Sequence, residues 1–323
     1  MNDANVVLER VAEAAALEEG AVGVREILRA VAELEPAPVR SISRRTGIAV
    51  PVVAATLGEL RSAHLVAASR PARLTEAGRR LAGGRATADD GHPLPSWLVD
   101  VAARLAVLEG APPADPALDQ SHCTLATRLR RVALLYDLGL AERDLLLLGD
   151  DDLVSVALAA ASDARRRAAG LLTVVDVDQR VLDVVTAQAT VLGAEVECVR
   201  HDLREPLPSG LVDTFDGVFT DVPYTVEGAT LFLSRAAQAL RAGPGRDVFW
   251  CFGPKGPDTA VRAQEAVVGM GFEIQRLERN FNDYVGAGVL GSTSHLYHLR
   301  TSTTMRPRVV GSYDGPLYTR ECR

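Results

Sequence analysis

The sequence predicts an α/β protein in which a Rossmann-like, mostly parallel sheet follows a smaller helical unit. Two observations support this fold class. From about residue 116 onward, short apolar segments typical of strands alternate with longer segments of helical periodicity. Before that point, helical segments and one hairpin pattern follow each other in the order of a winged helix. We therefore expect a winged-helix-like domain over residues 1–115 and the α/β domain, with its tail, over residues 116–323.

The composition is that of a globular protein and excludes several other classes. The 323 residues are 47% hydrophobic and 24% charged, and no apolar run is long enough to cross a bilayer. The acidic N-terminal segment does not resemble a secretory signal. Four cysteines without a CxxC pair or a nearby histidine cluster argue against a disulfide framework and structural zinc. We expect a reduced, cytoplasmic protein with neither a membrane segment nor a metal site.

The predicted elements of the first domain are helices and one hairpin. They are helices over 22–34, 41–48 (opened by a serine cap), 51–66 (with proline in its first turn) and 76–84, and a hairpin over 65–75. Residues 21–85 carry 11 arginines and 5 glutamates, a net charge of +6 that would suit DNA phosphates. The third helix, however, has no Arg, Lys, Asn or Gln in its first turns to contact base edges. We expect the domain to pack within the protein or in a homodimer rather than to bind nucleic acid, and a DNA-binding regulator stays an alternative.

The α/β domain contains seven strand candidates, with helical stretches between the earlier ones. The strands are predicted over 144–149, 171–178, 194–202, 215–223, 246–253, 272–280 and 295–301, and helices over 153–168, 179–193 and 226–243. In parallel sheets of this kind, ligands bind outside the carboxyl ends of the strands. The residues that follow each strand are therefore the candidates for a functional site.

Aspartates follow each of the first four strands. The candidates in chain order are Gly149, Asp150, Asp151 and Asp152, then Asp176 and Asp178, then Asp202 with Leu203, then Asp221 with Pro223 and Tyr224. A single aspartate after a strand is commonly the N-cap of the next helix, and we assign Asp152 to that role. Acidic residues at four successive strand ends predict a binding site instead.

This pattern indicates a cationic nucleoside rather than a dinucleotide. Asp176 or Asp178 is placed to accept hydrogen bonds from ribose hydroxyls, and Asp202 from an adenine amino group with Leu203 beside the ring. The first loop has a single glycine, Gly149, and its three carboxylates would repel a pyrophosphate. A sulfonium such as S-adenosylmethionine, or its decarboxylated form, suits both features. The α/β domain is thus predicted to be of the class I methyltransferase type.

The segment Asp-Val-Pro-Tyr at residues 221–224 is similar to the Asn/Asp-Pro-Pro-Tyr signature of methyltransferases that act on amino nitrogens. In that signature a polar oxygen accepts a hydrogen bond from the amine while the aromatic ring stacks on it. We therefore identify Asp221 and Tyr224 as candidate catalytic residues. An amino-group methyltransferase is one alternative function.

Six segments together resemble a known family, the branched-chain polyamine synthases or bis(aminopropyl)spermidine synthases. Their order and spacing are similar to those of the family's signature segments, and they read "DQSHCTLATRLRRVALLYDLGL", "GDDDLVSVAL", "VVDVDQR", "HDLREPLP", "FDGVFTDVPYT" and "RNFNDYVG". The resemblance implies a winged-helix-like domain ahead of a Rossmann-like catalytic domain. It also implies aminopropyl transfer from decarboxylated S-adenosylmethionine to an internal amine of a polyamine, with release of methylthioadenosine.

The resemblance also implies roles for individual residues. Asp150 resembles the catalytic acidic residue of the Gly-Asp-Asp-Asp loop. Gln120 and Asp151 resemble residues that line the aminopropyl end of the donor. Contacts to the nucleoside are implied for Asp176, Asp178 and Asp202.

The sequence departs from this family after the fourth strand and in its tail. The family pattern is Asp-Pro-Pro-Glu-Thr, whereas this chain has Asp-Val-Pro-Tyr-Thr, so Tyr224 replaces a glutamate that would meet a polyamine nitrogen. The tail is basic, with Arg306, Arg308, Arg320 and Arg323. An alternative is therefore transfer of the 3-amino-3-carboxypropyl group of intact S-adenosylmethionine to a specialised metabolite bearing a carboxylate or a phenol. An arginine could then pair with the donor carboxylate. Residues 279–286 are predicted to form a loop that closes over the site.

Overall fold

A computed structural model describes residues 3–82, 95–108, 110–165, 170–285 and 293–322. The chain divides into two compact units. One comprises Met1–His92, Gly253–Val261 and Gly286–Ser294, and the other comprises Pro93–Phe252, Arg262–Val285 and His295–Arg323. The division thus falls at residue 92, ahead of the predicted domain boundary at 115. That boundary stays a prediction.

The segment Met1–His92 of the first unit contains five helices among its described residues. They are α1 Asp3–Ala14, α2 Gly20–Leu34, α3 Val39–Thr46, α4 Val50–Ser62 and α5 Glu76–Ala82. Antiparallel bridges join Val66 to Leu74 and Ala37 to Ala72, where the hairpin was predicted. The predicted second helix is corrected, because α3 begins at Val39 after Pro38 rather than at a serine cap. Helix α1 was not predicted, and residues 83–84 lie outside the described residues.

The remaining helices and strands follow the predicted alternation. They are α6 Leu98–Leu105, α7 Leu125–Asp137, β1 Leu145–Leu148, α8 Val154–Arg165, β2 Leu172–Asp176, α9 Gln179–Leu192, β3 Glu197–Arg200, β4 Gly217–Asp221, α10 Val226–Ala239, β5 Asp247–Phe252, α11 Pro257–Gly269, β6 Phe272–Asp283 and β7 Thr293–Thr301. No helix among the described residues is both long enough and apolar enough to cross a membrane.

The seven strands form one mixed sheet in the order β3-β2-β1-β4-β5-β7-β6. Strands β1 to β5 pair in parallel, and β7 pairs antiparallel with β5. The predicted α/β class with a mostly parallel sheet is confirmed. Alternate residues of β1 enter two core clusters, Leu145 and Leu147 in one and Leu146 and Leu148 in the other. The strand is apolar throughout because both faces of the sheet are covered.

The register of the sheet brings the predicted site residues to one edge. Leu148, the last residue of β1, pairs with Val175 of β2 and with Thr220 of β4. The chain therefore leaves all three strands at the same level, and the aspartates that follow them meet there. Gly149 has a φ of 76°, a left-handed conformation that favours glycine, as the chain leaves β1.

Residues 279–286 are not the predicted loop over the site. Residues 279–283 complete β6, and Tyr284 forms an antiparallel bridge with Cys123. The prediction failed because a polar, asparagine-containing segment was taken for a loop, whereas strand pairing with buried neighbours overrides local propensity. Gly286 lies outside the described residues.

The segment after β7 is held by a buried arginine, Arg235 of α10. Its guanidinium donates to the carbonyl oxygens of Gly311 (2.8 Å) and Val310 (3.3 Å) in the tail. It also donates to the carbonyls of Leu203 (2.8 Å) and Arg204 (3.2 Å) in the loop after β3. Arg235 therefore joins the tail to the loop that carries Asp202.

Candidate active site

Asp150, rather than the predicted Asp152, caps helix α8. One oxygen of Asp150 accepts the N–H of Val154 at 2.7 Å, and the other accepts both the N–H (3.2 Å) and the hydroxyl of Ser155. Burial raises the pKa of this carboxyl to about 7, although the hydrogen bonds from Ser155 and Val154 act in the opposite direction. The side chain predicted to be catalytic is thus fully engaged in holding the start of the helix.

Asp152 instead binds a buried arginine, Arg131 of α7. One oxygen of Asp152 accepts a hydrogen bond from Nη1 of Arg131, and the other accepts the N–H of Cys123. Arg131 is completely inaccessible to solvent. Its role was missed at the sequence level because helix α7 was not predicted. A helix predicted over this segment would have placed Thr127, Arg131 and Leu135 on one face, which is buried in the structure.

Asp221, the last residue of β4, lies between two phenols and the same arginine. Its Oδ2 accepts from Tyr284 Oη at 2.5 Å and from Arg131 Nη2 at 2.7 Å, and its Oδ1 accepts from Tyr224 Oη at 3.2 Å. The rings of Tyr224 and Tyr284 meet edge to face, with centroids 6.5 Å apart, and Phe252 packs edge-on against Tyr224 at 6.0 Å. Burial raises the pKa of Asp221, and the charge of Arg131 opposes this rise. The predicted pair Asp221 and Tyr224 is therefore brought together.

Asp151 has the least occupied carboxylate of the three consecutive aspartates. One oxygen accepts the N–H of Ser121 at 3.3 Å, and 16% of the side chain is exposed. Burial raises the pKa of Asp151 well above its usual value, and the charges of Asp152 and Asp221 raise it further. The largest electrostatic influences on this group all come from other carboxylates, so it lies in a strongly anionic environment.

His122 lies beside Asp151 and is bound by main-chain oxygens. Its Nδ1 lies 3.0 Å from the carbonyl oxygen of Asp151, and its Nε2 lies 2.7 Å from the carbonyl oxygen of Pro112. His122, Asp151 and Asp152 offer ligand atoms within 4.8 Å of one another. Because Asp152 is bound to Arg131 and both His122 nitrogens face carbonyls, these residues suit hydrogen bonding better than metal binding.

The predicted donor residues at the β2 edge are connected to one another. Asp178 caps α9, and its carboxylate accepts from Arg180 Nη2 at 2.6 Å and from Gln120 Nε2 at 3.1 Å. The hydrogen bond from Arg180 lowers the pKa of Asp178 despite partial burial. Asp176 accepts the N–H of Asp150 at 3.0 Å and that of Asp178 at 2.8 Å, which ties the β2 end to the β1 loop. Burial raises the pKa of Asp176.

Asp202 and Leu203 lie after β3, where a residue of the tail joins them. Asp202 accepts the N–H of Arg204 at 2.9 Å, and Leu203 is 6% exposed within the core. The guanidinium of Arg204 lies 5.1 Å from the ring centroid of Tyr318. Burial raises the pKa of Tyr318 to about 12, Arg204 opposes this, and the charges of Asp202 and Asp176 add to it. Tyr318 is thus near the predicted nucleoside residues, which local sequence could not indicate because it is more than 100 residues away in the chain.

These contacts create a site with more carboxyl groups than basic groups at one edge of the sheet. Five aspartates gather there, and Arg131 is the guanidinium that binds two of them. They are Asp150, Asp151, Asp152, Asp176 and Asp221. Such a site is suited to attract cationic ligands and to accept a proton from one of them.

A family model, the branched-chain polyamine synthase A C-terminal domain, matches residues 101–314. The chain belongs to the branched-chain polyamine synthase family. An uncharacterized protein of Methanocaldococcus jannaschii is 32% identical over 310 residues, which cover 91% of this chain and 78% of that protein. The N(4)-bis(aminopropyl)spermidine synthase of Thermococcus kodakarensis is 34% identical over 189 residues, which cover 54% of this chain and 50% of that enzyme. The alignment therefore spans about half the length of this named synthase.

The crystal structure of the Thermus thermophilus branched-chain polyamine synthase has the same fold. Its TM-score is 0.76 at 23% identity, and the match covers 99% of this chain and 98% of that one. That protein was crystallised in complex with N4-aminopropylspermidine and 5'-methylthioadenosine. A methyltransferase structure also shares the fold over 63% of this chain, with a TM-score of 0.51. The methyltransferase-like α/β fold is thus confirmed, and the winged-helix-like assignment stays a prediction.

The comparisons bear out the predicted family and the predicted class of enzyme. The named relatives are aminopropyltransferases, which transfer an alkyl group other than methyl. This branched-chain polyamine synthase family member is accordingly grouped with enzymes that transfer alkyl groups other than methyl. The roles predicted for individual residues stay predictions.

Proposed function

We propose that the protein transfers an aminopropyl group from decarboxylated S-adenosylmethionine to an amine of a polyamine-like acceptor, releasing methylthioadenosine. The observation that carries this proposal is the group of five aspartates around Asp151, with Arg131 as the cation that binds two of them. A donor with a sulfonium and an ammonium group, and a polycationic acceptor, both match this charge. The names of the relatives and the ligands of the Thermus thermophilus protein support the same reaction.

The carboxyl-rich site favours the decarboxylated donor over intact S-adenosylmethionine, because ionised aspartates would repel the carboxylate of the intact donor. The guanidinium of Arg308 in the tail donates to the carbonyl of Glu265 in α11 at 3.2 Å. Glu265 lies near the end of α11 and away from the strand ends that carry the aspartates, so Arg308 in this position does not pair with a donor carboxylate.

In the proposed reaction the lone pair of the acceptor nitrogen attacks the aminopropyl carbon next to the sulfonium. The new N–C bond forms as the C–S bond breaks, and its electron pair goes to sulfur, giving a neutral thioether. The acceptor must lose a proton before or during attack. We assign that proton to Asp151, because its carboxylate is partly exposed, accepts a long hydrogen bond from the N–H of Ser121 and lies 3.8 Å from Nδ1 of His122.

The other predicted residues are assigned to the two substrates. Asp221 and Tyr224 would hold the acceptor nitrogen. The Tyr224 hydroxyl donates its hydrogen to Asp221, so its oxygen can accept a hydrogen bond from an amine. Orientation of this kind lowers the barrier of an in-line displacement. Gln120 would line the aminopropyl end of the donor, and its nucleoside end would contact Gly149, Asp176, Asp178, Asp202 and Leu203.

We also propose that residues 3–82 form a winged-helix-like module and that the protein is a homodimer. The helix order and the bridge from Val66 to Leu74 support the first of these assignments. Residues 1–92 contain 12 arginines and 12 acidic residues, so this unit has no overall attraction for nucleic acid.

The test is mass spectrometry of both products after incubation with spermidine as acceptor and each donor in turn. Decarboxylated S-adenosylmethionine should yield methylthioadenosine together with an acceptor that has gained one aminopropyl group. Intact S-adenosylmethionine should yield neither. Formation of S-adenosylhomocysteine, or of an acceptor with a carboxyl-bearing aminopropyl group, would contradict the proposal.

A further inference from the structure

Arg131 contacts residues from three other parts of the α/β unit. Its Nη1 binds Asp152 in the loop after β1, and its Nη2 binds Asp221 at the end of β4 at 2.7 Å. Its Nε donates to Asn282 Oδ1 of β6 at 2.9 Å, and Nη2 also donates to Tyr284 Oη at 3.1 Å. Arg131 itself belongs to α7. The guanidinium therefore joins elements that are far apart in sequence.

The surroundings of Arg131 hold the guanidinium in one orientation. Its plane lies near the rings of Phe219, at 5.2 Å from the centroid, and Tyr284, at 5.9 Å. A completely buried cation is costly unless its donors are paired, and this one has a partner at each of its three nitrogens. The planar fork of arginine can bind two carboxylates at fixed relative positions, whereas the ammonium of lysine is a single point charge.

We propose that Arg131 is the positioning residue that fixes the acceptor-side carboxylate, Asp221, relative to the donor-side loop that carries Asp151. This inference rests on the proposed aminopropyl transfer. Asp152 is the residue directly after Asp151, so a bridge from Asp152 through Arg131 to Asp221 sets the separation of the donor and acceptor groups. Arg131 does not itself contact substrate in this assignment.

The central test compares Arg131→Lys with wild type and with Arg130→Lys. Arg130 is the neighbouring residue of α7, and it also binds β6 by donating to the Phe281 carbonyl at 2.8 Å. For Arg131→Lys we expect kcat to fall about 100-fold, because small misplacements of reacting groups have effects of this size. The affinity for methylthioadenosine, measured by calorimetry, should stay within about twofold. Arg130→Lys should keep wild-type kcat.

A double-mutant cycle then tests whether Arg131 acts through Asp221. In an Asp221→Asn background the carboxylate that Arg131 positions is already absent, so Arg131→Lys should lower kcat by less than about fivefold. Equal effects of Arg131→Lys in both backgrounds would overturn the inference. So would a kcat at the wild-type level, or a loss of methylthioadenosine affinity as large as the loss of kcat, which would indicate a general structural role.

A second variant covers the case in which Arg131→Lys does not fold. Asp152→Asn weakens the donor-side half of the bridge and keeps the guanidinium on Asp221, and we expect a kcat about 10-fold lower with unchanged methylthioadenosine affinity. Wild-type kcat in that variant would also overturn the inference. The failure of the proposed function can be distinguished from the failure of this inference. If the wild-type protein transfers no aminopropyl group from the decarboxylated donor, both fail. If it does so and Arg131→Lys keeps wild-type kcat, only this inference fails.

Discussion

Three consecutive aspartates in one loop have three different environments. Asp150 is bound to the first turn of α8, Asp152 is bound to Arg131, and Asp151 is partly exposed beside Ser121. The loop contains two residues of positive φ, Gly149 at 76° and Leu153 at 54°, which direct the side chains apart. Sequence reasoning found the loop and its acidic character. It assigned the helix cap to Asp152 instead of Asp150, because the true assignment depends on backbone angles and on partners distant in the chain.

At this scale we predict that Asp151→Asn removes activity while keeping the fold. Without the carboxylate, kcat should fall about 100-fold or more, since general-base groups contribute that much. The melting temperature should rise, because burial and neighbouring aspartates disfavour a charge at this position. Measurement of kcat and of thermal unfolding of the free protein checks both effects. Full activity in this variant would remove Asp151 from the mechanism.

Asp150→Ala is the matched comparison for that prediction. Alanine leaves the N–H groups of Val154 and Ser155 without their side-chain acceptor, so the cap of α8 would be lost. Loss of an N-cap typically costs about 1 kcal/mol. We expect a lower melting temperature here, in contrast to the rise for Asp151→Asn. An unchanged melting temperature would contradict the capping role.

At the scale of elements, the regular structure could largely be predicted and the connections could not. All seven strands were predicted, and the signal is clearest in the buried parallel ones, which are apolar throughout, as in Leu145–Leu148. Helix α7 was overlooked, and with it Arg131. The path of the tail could not be predicted because it depends on one buried side chain, Arg235. Its contacts with the tail are to backbone carbonyls, which leave no signature in the sequence.

We predict that Arg235→Met releases the tail and loosens the donor site. The carbonyls of Leu203, Arg204 and Gly311 lose their donor, so the tail should become accessible to limited proteolysis. Because the same arginine holds the loop that carries Asp202, the KM for the donor should rise more than kcat falls. Proteolysis followed by mass spectrometry, together with steady-state kinetics, measures these effects.

The control for that experiment is Arg241→Met, just after the end of α10. Arg241 binds Asp144 at 2.6 Å and Asp216 at 2.7 Å, near the starts of β1 and β4. Its loss should leave tail cleavage and the donor KM unchanged. If both variants expose the tail equally, the effect of Arg235→Met is a general destabilisation.

At the scale of the whole molecule, the excess of buried acid predicts a stability that falls as the pH rises from 6.5 to 8. Burial raises the pKa of Asp150 to about 7 and that of Asp151 well above its usual value. Unfolded aspartates have a pKa of about 4, so in this range the folded protein binds more protons than the unfolded one. The free energy of unfolding therefore decreases with pH. Burial lowers the pKa of His295 to about 4, whereas an unfolded histidine has a pKa of about 6.5. His295 therefore makes the stability increase with pH, but only at pH values below about 6.5.

The measurement is chemical denaturation of the free protein at several pH values between 6.5 and 8. The slope of unfolding free energy against pH should be negative in wild type and smaller in Asp151→Asn. A positive slope in wild type would contradict the assignment of protonated aspartates to the folded state.

The position of β7 has a consequence for how the protein folds. This last strand inserts between β5 and β6, two strands that precede it in the chain. Until residue 301 has been synthesised, β5 lacks one neighbour and the edge of β6 that β7 will cover is open to other chains. Closing the sheet also requires a contact across more than 40 residues, between Phe252 and His295. Refolding should therefore be slow and prone to aggregation at high protein concentration, with dilution as the remedy.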